Sequence, residues 1–290
     1  MNVSTCCQGA FFGHAIASQH DPSTLMALNV SESLLECKKF DGSDILSRHL
    51  YLYHTKKCEI GEITKYVYQK AIERIGAQSS ITRENFRFQQ STIDEIVKLT
   101  HNKYDGYTAA CGPAQRSYPL AFCQYINDDD LFDCTMLEAK LTHYSPIAGQ
   151  VAGIINLICR SLINNVNWDR AVSSAFETPR LHNDIIEVAL HRNRRSYHDL
   201  GKPAAYAPTA LNAALHYVSI SQNAAQAIAN ARGKDKNYCA PIVGILAGTR
   251  WGIPLETYKD NINDSRLKSL LETSNKLCAI WRPKHDHVNA

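Results

Sequence analysis

Apolar residues recur at intervals of three and four along most of the chain, which is the spacing of one face of an α-helix. From Pro146 to Val166 the apolar positions fall on one helical face, and small residues between them allow a second helix to approach closely. The same periodicity marks the segments 44–54, 61–76, 91–102, 130–143, 207–221 and 222–231. Convincing strand alternation is missing from the sequence. The pattern predicts an all-α fold of about ten or more helices.

The length and composition predict one domain. The chain has 290 residues, of which 44% are hydrophobic and 20% are charged, values that are ordinary for a globular protein. A linker rich in proline, serine or glycine does not divide the sequence, and no fixed-period repeat is visible. We therefore expect a compact domain over residues 1–290, with the recognisable motifs in about 9–254 and a helical extension over 255–290.

Charge and cysteine content narrow the function classes. The net charge is +3, and the largest basic cluster, residues 191–198, is local, so we interpret it as a solvated loop and expect no nucleic-acid partner. Apolar runs stay short of the ~18 residues of a membrane span, so we expect no membrane partner. The ten cysteines lack zinc-site spacing and are typical of buried thiols in a reducing compartment. We expect a cytoplasmic location, in the protein's own cell or in a host cytosol.

A threonine–histidine pair precedes the long apolar helix. Thr142 and His143 come just before Ser145, a favourable N-cap residue, and Pro146, which suits the first helical position. The pattern favours a helix start with a buried, hydrogen-bonded His143 over a catalytic histidine.

A second motif, CGPAQR, combines a turn of small residues with an arginine. Gly112, Pro113 and Ala114 can expose backbone N–H groups that hold a phosphate, and Arg116 follows them. The alternative is that Arg116 belongs to a buried structural ion pair.

Two further segments carry isolated acids. Asp41 and Asp44 stand at the start of a predicted helix, where either can be a helix cap or a hard oxygen ligand for a metal. Asp235 is the only acid of a polar loop that leads into an apolar, glycine-punctuated helix, and Lys234 and Lys236 flank it. The sequence is compatible with three interpretations of this loop: a metal site, an eroded metal site or a helix cap.

Taken together, these motifs resemble the ADP-ribosylglycohydrolase superfamily, which includes dinitrogenase-reductase-activating glycohydrolase, the ADP-ribosyl-acceptor hydrolases and the J1 crystallins. The segments GAFFGHAIA, DGSDIL, CGPAQRSYPLAF, LTHYSPIAG and GKDKNYCAPIVGILAGTRWGIP occur in the order and spacing of that superfamily. The resemblance implies an all-helical fold and cleavage of the bond between ADP-ribose and a protein side chain. It also implies a site for two Mg²⁺ or Mn²⁺ ions, bound mainly by an early Thr-Asp-Asp motif and a late Asp-x-Asp-Thr motif.

The match is incomplete at those metal motifs. The late motif falls on Asp235, Lys236, Asn237 and Tyr238, so one of its two acids remains. The early motif falls on Gly42, Ser43 and Asp44, so Ser43 replaces one acid and Asp44 remains, with Asp41 as the alternative. A further acid in the first helix is replaced by Ser18.

From this resemblance we expect Asp44 and Asp235 to be the residual catalytic acids. The expected ligands of at most one weakly bound Mg²⁺ ion, if any metal binds, are Asp41, Asp44, Asp235 and Asn237. Gly112, Pro113, Ala114, Arg116 and Lys236 are expected to contact ADP-ribose.

Two functions follow. The first is a metal-poor hydrolase acting on ADP-ribosylated protein. The alternative is an inactive relative that binds ADP-ribose, a nucleotide or a partner protein in a regulatory role.

Overall fold

The computed structural model describes residues 2–19, 22–56, 59–76, 82–192, 198–254, 264–279 and 281, and these ranges contain fourteen α-helices and no named strand. Short 3₁₀ helices add turns at Arg83–Phe86 and Tyr118–Phe122. The helices are α1 Val3–Ser18, α2 Pro22–Cys37, α3 Gly42–Lys56, α4 Glu62–Ile75, α5 Gln90–Lys103, α6 Gly112–Arg116, α7 Asp128–Ala139, α8 Pro146–Ile163, α9 Trp168–Ala175, α10 Asn183–His191, α11 Ala207–Ile220, α12 Ala224–Lys234, α13 Cys239–Trp251 and α14 Asp264–Ala279. The all-α prediction is confirmed.

Helices α1 and α13 pack backbone against backbone at the centre of the fold. A Cβ added at Gly13 would lie 2.0 Å from the carbonyl oxygen of Gly244, and one added at Gly9 would lie 2.1 Å from that of Gly248. Only glycine leaves room for this approach, because any side chain at these positions would overlap the neighbouring main chain. The glycines of the motif at 239–254 are therefore packing residues.

Helix α8 is the apolar core helix that the sequence predicts. Its small residues face α7, since a Cβ at Gly149 would meet the sulfur of Met136 at 2.7 Å and one at Gly153 would meet the Phe132 ring at 2.5 Å. By length and composition Pro146–Ile163 passes as a membrane span, but 72% of that window is buried inside the fold. The helix begins at Pro146 after Ser145, as the capping pattern indicates.

The C-terminal helix packs against the N-terminal part of the chain. Helix α14 contacts α1 and α2, so the described part of the predicted C-terminal extension is helical and belongs to the same domain. The expected extension also covers 255–263, 280 and 282–290, which lie outside the described residues. Residues 193–197 of the basic cluster also lie outside them.

Candidate functional site

The CGPAQR motif and the loop before α13 meet through one side chain. Gln115, on the single-turn helix α6, donates its amide to the backbone oxygen of Asn237 at 2.8 Å and to that of Tyr238 at 3.0 Å. Two segments that are far apart in the sequence are thereby held side by side. The contact ties the end of the polar loop to α6.

A cavity of about 400 Å³ opens at this junction. Its wall combines the start of α2, the segment 59–64, the CGPAQR motif and the loop before α13. The motif residues that line it are Cys111, Gly112, Gln115, Arg116, His143, Asn237 and Tyr238. The volume lies in the range of small-molecule sites, so the junction is the candidate functional site.

Arg116 is the centre of a buried polar network beneath the cavity. Its Nε donates to Glu138 Oε1 at 2.6 Å, and its terminal nitrogen donates to Thr142 Oγ1 at 2.9 Å. Arg116 and Glu138 are almost fully excluded from solvent. Burial raises the pKa of Glu138, and the Arg116 guanidinium opposes that shift. The structure therefore shows the ion pair that was the alternative for Arg116.

This network fixes the state of His143. Thr142 Oγ1 lies 2.7 Å from His143 Nδ1, and burial together with the Arg116 cation holds the histidine pKa well below 6.5. Because Arg116 can only donate, the threonine oxygen accepts from it and has its own proton to give to Nδ1. With this direction of the bond we assign the proton of the neutral imidazole to Nε2, which can donate a hydrogen bond from the cavity wall.

Of the other residues expected to contact ADP-ribose, only Gly112 lines the cavity. Gly112 lines the cavity, where a Cβ would meet the His143 ring at an ordinary contact distance of 3.5 Å. Pro113 and Ala114 are buried in α6 and are not among the lining residues. Lys236 is exposed and lies outside the lining as well.

Asp44 is fully buried and paired with two arginines. Arg48 Nε donates to Oδ2 at 2.6 Å, and Arg87 donates to Oδ1 at 2.5 Å. Burial alone would raise the pKa of Asp44, but hydrogen bonds from Arg48 and Arg87 oppose it, and the pKa lies below its ordinary value. Arg48 also contacts Glu32 and Glu36. Both carboxylate oxygens of Asp44 therefore face guanidinium groups.

The other predicted acids cap helices. Asp41 accepts a hydrogen bond from the backbone N–H of Asp44 at 2.9 Å. Asp235 accepts from the N–H groups of Asn237, Tyr238 and Cys239 at 3.0, 3.2 and 3.1 Å as the chain enters α13. The capping alternative thus describes both contacts. Asp41, Asp44 and Asp235 are not among the described residues that line the cavity.

The serines aligned with lost acids have structural partners. Ser18 Oγ lies 3.0 Å from Thr24 Oγ1, and Ser43 Oγ donates to the Phe88 carbonyl at 2.8 Å. Of the four predicted metal ligands, the structure brings only Asn237 to the cavity, and it is the residue without a carboxylate.

Sequence reasoning missed Gln115, Glu138 and the two arginines at Asp44. Arg48 had a detectable signal, because it stands four residues after Asp44 on one helical face. Arg87 and Glu138 had none, since their partners lie far away in the sequence.

The sequence model of the ADP-ribosylglycohydrolase family matches residues 5–283. The chain belongs to this family. Among solved structures, the chain is similar to one titled "ADP-ribosylglycohydrolase-related protein complex", with a TM-score of 0.69 and 19% identity over 96% of this chain and 99% of that one. At that identity the likeness concerns the fold. None of the curated proteins matches.

Proposed function

We propose that this member of the ADP-ribosylglycohydrolase family binds ADP-ribose, free or attached to a protein, without two-metal hydrolytic chemistry. The observation that carries the proposal is the pairing of both Asp44 oxygens with Arg48 and Arg87. In a two-metal site of this family, the acid at this position is expected to face metal ions. Here fixed side-chain cations face it instead.

The charge balance supports this proposal. Two divalent ions bring four positive charges and need several free carboxylate oxygens. Arg48 and Arg87 already neutralise the charge of Asp44. The carboxylate oxygens of Asp235 accept hydrogen bonds from three backbone N–H groups. A dication approaching Asp44 would also be repelled by both guanidinium groups. The residues present do not fit a pair of Mg²⁺ ions.

The cavity keeps groups that suit an adenosine diphosphate sugar. Tyr238 lines it and remains partly exposed, so its ring can stack on a base. The Nε2 proton assigned to His143 can reach a phosphate or ribose oxygen. Binding would therefore combine stacking on Tyr238 with a neutral donor at the base of the cavity.

Hydrolysis is the second candidate, because two carboxylates border the cavity. Glu59 and Glu62 are both lining residues. A carboxylate at the rim can act as a general base toward water without a metal. On this alternative the acids differ from Asp44 and Asp235, and turnover would continue in a chelator.

The test combines calorimetry and turnover on the full chain. ADP-ribose and ADP should bind more tightly than AMP, with affinities that are equal in chelator and in millimolar Mg²⁺, and ADP-ribosylated arginine or serine peptides should stay intact by mass spectrometry. Tyr238→Ala should weaken binding about tenfold, whereas Tyr107→Ala, at a tyrosine that is 84% exposed and not among the lining residues, should not.

Two results would contradict the proposal. Binding that requires Mg²⁺ would restore the metal-centre interpretation. Peptide cleavage in chelator, lost in Glu59→Gln or Glu62→Gln, would favour the second candidate.

A further inference from the structure

A cluster of metal-binding side chains lies at the end of α10, separate from the candidate cavity. Glu187 and His191 are four residues apart on this helix and so project from one side, one turn apart. The helix is anchored on another side by Ile185 and Val188, which are fully buried. This packing fixes the two polar side chains on the solvent-accessible part of the helix.

His198 returns to the same place from the chain beyond α10. Its Nε2 lies 3.7 Å from Glu187 Oε1, and its ring centroid lies 4.0 Å from that of His191. The buried Asn212 on α11 donates to the backbone oxygen of His198 at 2.6 Å. The backbone of the third residue is therefore tied to α11.

We propose that Glu187, His191 and His198 form a binding site for a transition-metal dication, with Zn²⁺ as the preferred ion. Each residue offers one ligand atom, and the three atoms lie within 4.8 Å of one another. In a tetrahedral zinc site with bonds of about 2.0–2.1 Å, neighbouring ligand atoms stand about 3.4 Å apart. The Glu187–His198 separation is close to that value, and small side-chain rotations close the rest.

The donor set decides the class of ion. Two imidazole nitrogens and one carboxylate oxygen suit Zn²⁺, Ni²⁺ or Cu²⁺, whereas Mg²⁺ and Ca²⁺ require mainly oxygen ligands. Three protein ligands leave a fourth tetrahedral position for water or another small ligand. The site is thus distinct in chemistry from the Mg²⁺ centre expected for the family.

Arg192, the described cation next to His191 in the chain, has its own contacts. The Arg192 guanidinium lies over the Phe176 ring, 5.7 Å from its centroid, and donates to the Ala189 carbonyl. A bound ion would connect the end of α10 to the chain before α11. Binding to the folded state alone would stabilise the protein by mass action.

Zinc calorimetry on the chelator-treated full chain tests the site. Wild type should bind one equivalent of Zn²⁺ at this site, and His191→Ala, His198→Ala and Glu187→Gln should each weaken it at least about tenfold. His54→Ala is the matched control, because His54 is an exposed helical histidine outside the cluster, and it should leave the affinity unchanged.

Cobalt substitution distinguishes this site from binding at the cysteines. A Co²⁺ complex with nitrogen and oxygen ligands should show visible ligand-field bands without a sulfur-to-metal charge-transfer band, and these bands should vanish in the double variant His191→Ala/His198→Ala. The proposal is overturned if wild type binds no Zn²⁺ with one-site behaviour, if the three variants bind like wild type, or if thiolate charge transfer dominates.

Discussion

Arg48 lies one helical turn after Asp44 on α3, and its Nε donates to the Asp44 carboxylate across 2.6 Å. Both side chains are buried, so the pair is shielded from water. Removing the cation by Arg48→Ala leaves a buried carboxylate with Arg87 as its remaining arginine. We expect the free energy of unfolding, measured by urea denaturation, to fall by about 3 kcal/mol.

The exposed pair of Arg74 and Glu95 supplies the control for that measurement. Both side chains are more than half exposed, and their closest atoms are 3.3 Å apart. Arg74→Ala should change the free energy of unfolding by less than about 1 kcal/mol. Equal effects of the two substitutions would show that the pair at Asp44 has no special role in stability.

Acid should destabilise the protein through two buried histidines. Burial, with a further contribution from the Arg116 cation, lowers the pKa of His49 and of His143 well below 6.5. Below about pH 6.5 these two histidines are protonated in the unfolded chain but stay neutral in the native state. The free energy of unfolding therefore falls by about 1.4 kcal/mol for each histidine with every pH unit of acidification, until the native pKa is reached. This contribution to stability is complete above pH 6.5.

Denaturation at about pH 6 and about pH 5 measures that slope. His49→Gln should reduce the change between the two values, because one of the buried histidines whose pKa is lowered is gone. The opposite outcome, a slope that is identical in wild type and His49→Gln, would assign the acid sensitivity to other groups.

The contact between α1 and α13 should tolerate no side chain. A Cβ at Gly244 would lie 2.1 Å from the carbonyl oxygen of Gly13, so Gly244→Ala must push two backbones apart. We expect a loss of about 3 kcal/mol in the free energy of unfolding. Gly233→Ala is the control, since a Cβ there meets nothing within 4 Å, and this variant should be at least as stable as wild type.

Gln115 should determine the order of the loop before α13. Gln115→Ala leaves the carbonyls of Asn237 and Tyr238 without their amide donor, so hydrogen exchange of residues 237–239 should accelerate and ADP-ribose affinity should fall about tenfold. Gln90→Ala removes only a contact with Asp94 on an exposed helix surface and should change neither quantity. Unchanged exchange in Gln115→Ala would mean that the loop is held by its other contacts.

Cys278 should be the most acidic described thiol. A hydrogen bond from Cys7 is the largest cause that lowers its pKa to about 7, while burial raises the pKa of Cys7 itself. About half of the Cys278 side chains are then thiolate at neutral pH. Alkylation mapped by mass spectrometry at about pH 7 should label Cys278 before Cys134, a second half-buried thiol. In Cys7→Ala the preference should disappear.

The sequence predicts the parts of this molecule that depend on neighbouring residues. Helical periodicity identifies α8, and capping rules anticipate its start at Pro146. The roles of Asp41 and Asp235 as caps are also local, and each was an alternative to metal binding. The pairing of Asp44 with Arg87 spans more than forty residues, and only the folded chain reveals it.

The candidate cavity also depends on contacts between residues that lie far apart in the sequence. The motifs around Gly112 and Asn237 predict two pieces of a site, and in the structure these two segments lie in contact. The bridge by Gln115 depends on the exact distance between α6 and the loop, which no sequence pattern contains. The carboxylates that reach the cavity, Glu59 and Glu62, belong to no motif, so sequence reasoning assigned them no role.

The glycine contact between α1 and α13 also sets an order of events during synthesis. The ribosome makes α1 before α13, and more than two hundred residues separate the end of α1 from the end of its main packing partner. At a synthesis rate of about 5–20 residues per second, roughly 10–50 seconds pass between the synthesis of α1 and that of α13. The backbone contact between α1 and α13 can therefore form only after α13 has left the exit tunnel, and until then this face of α1 lacks its main packing partner.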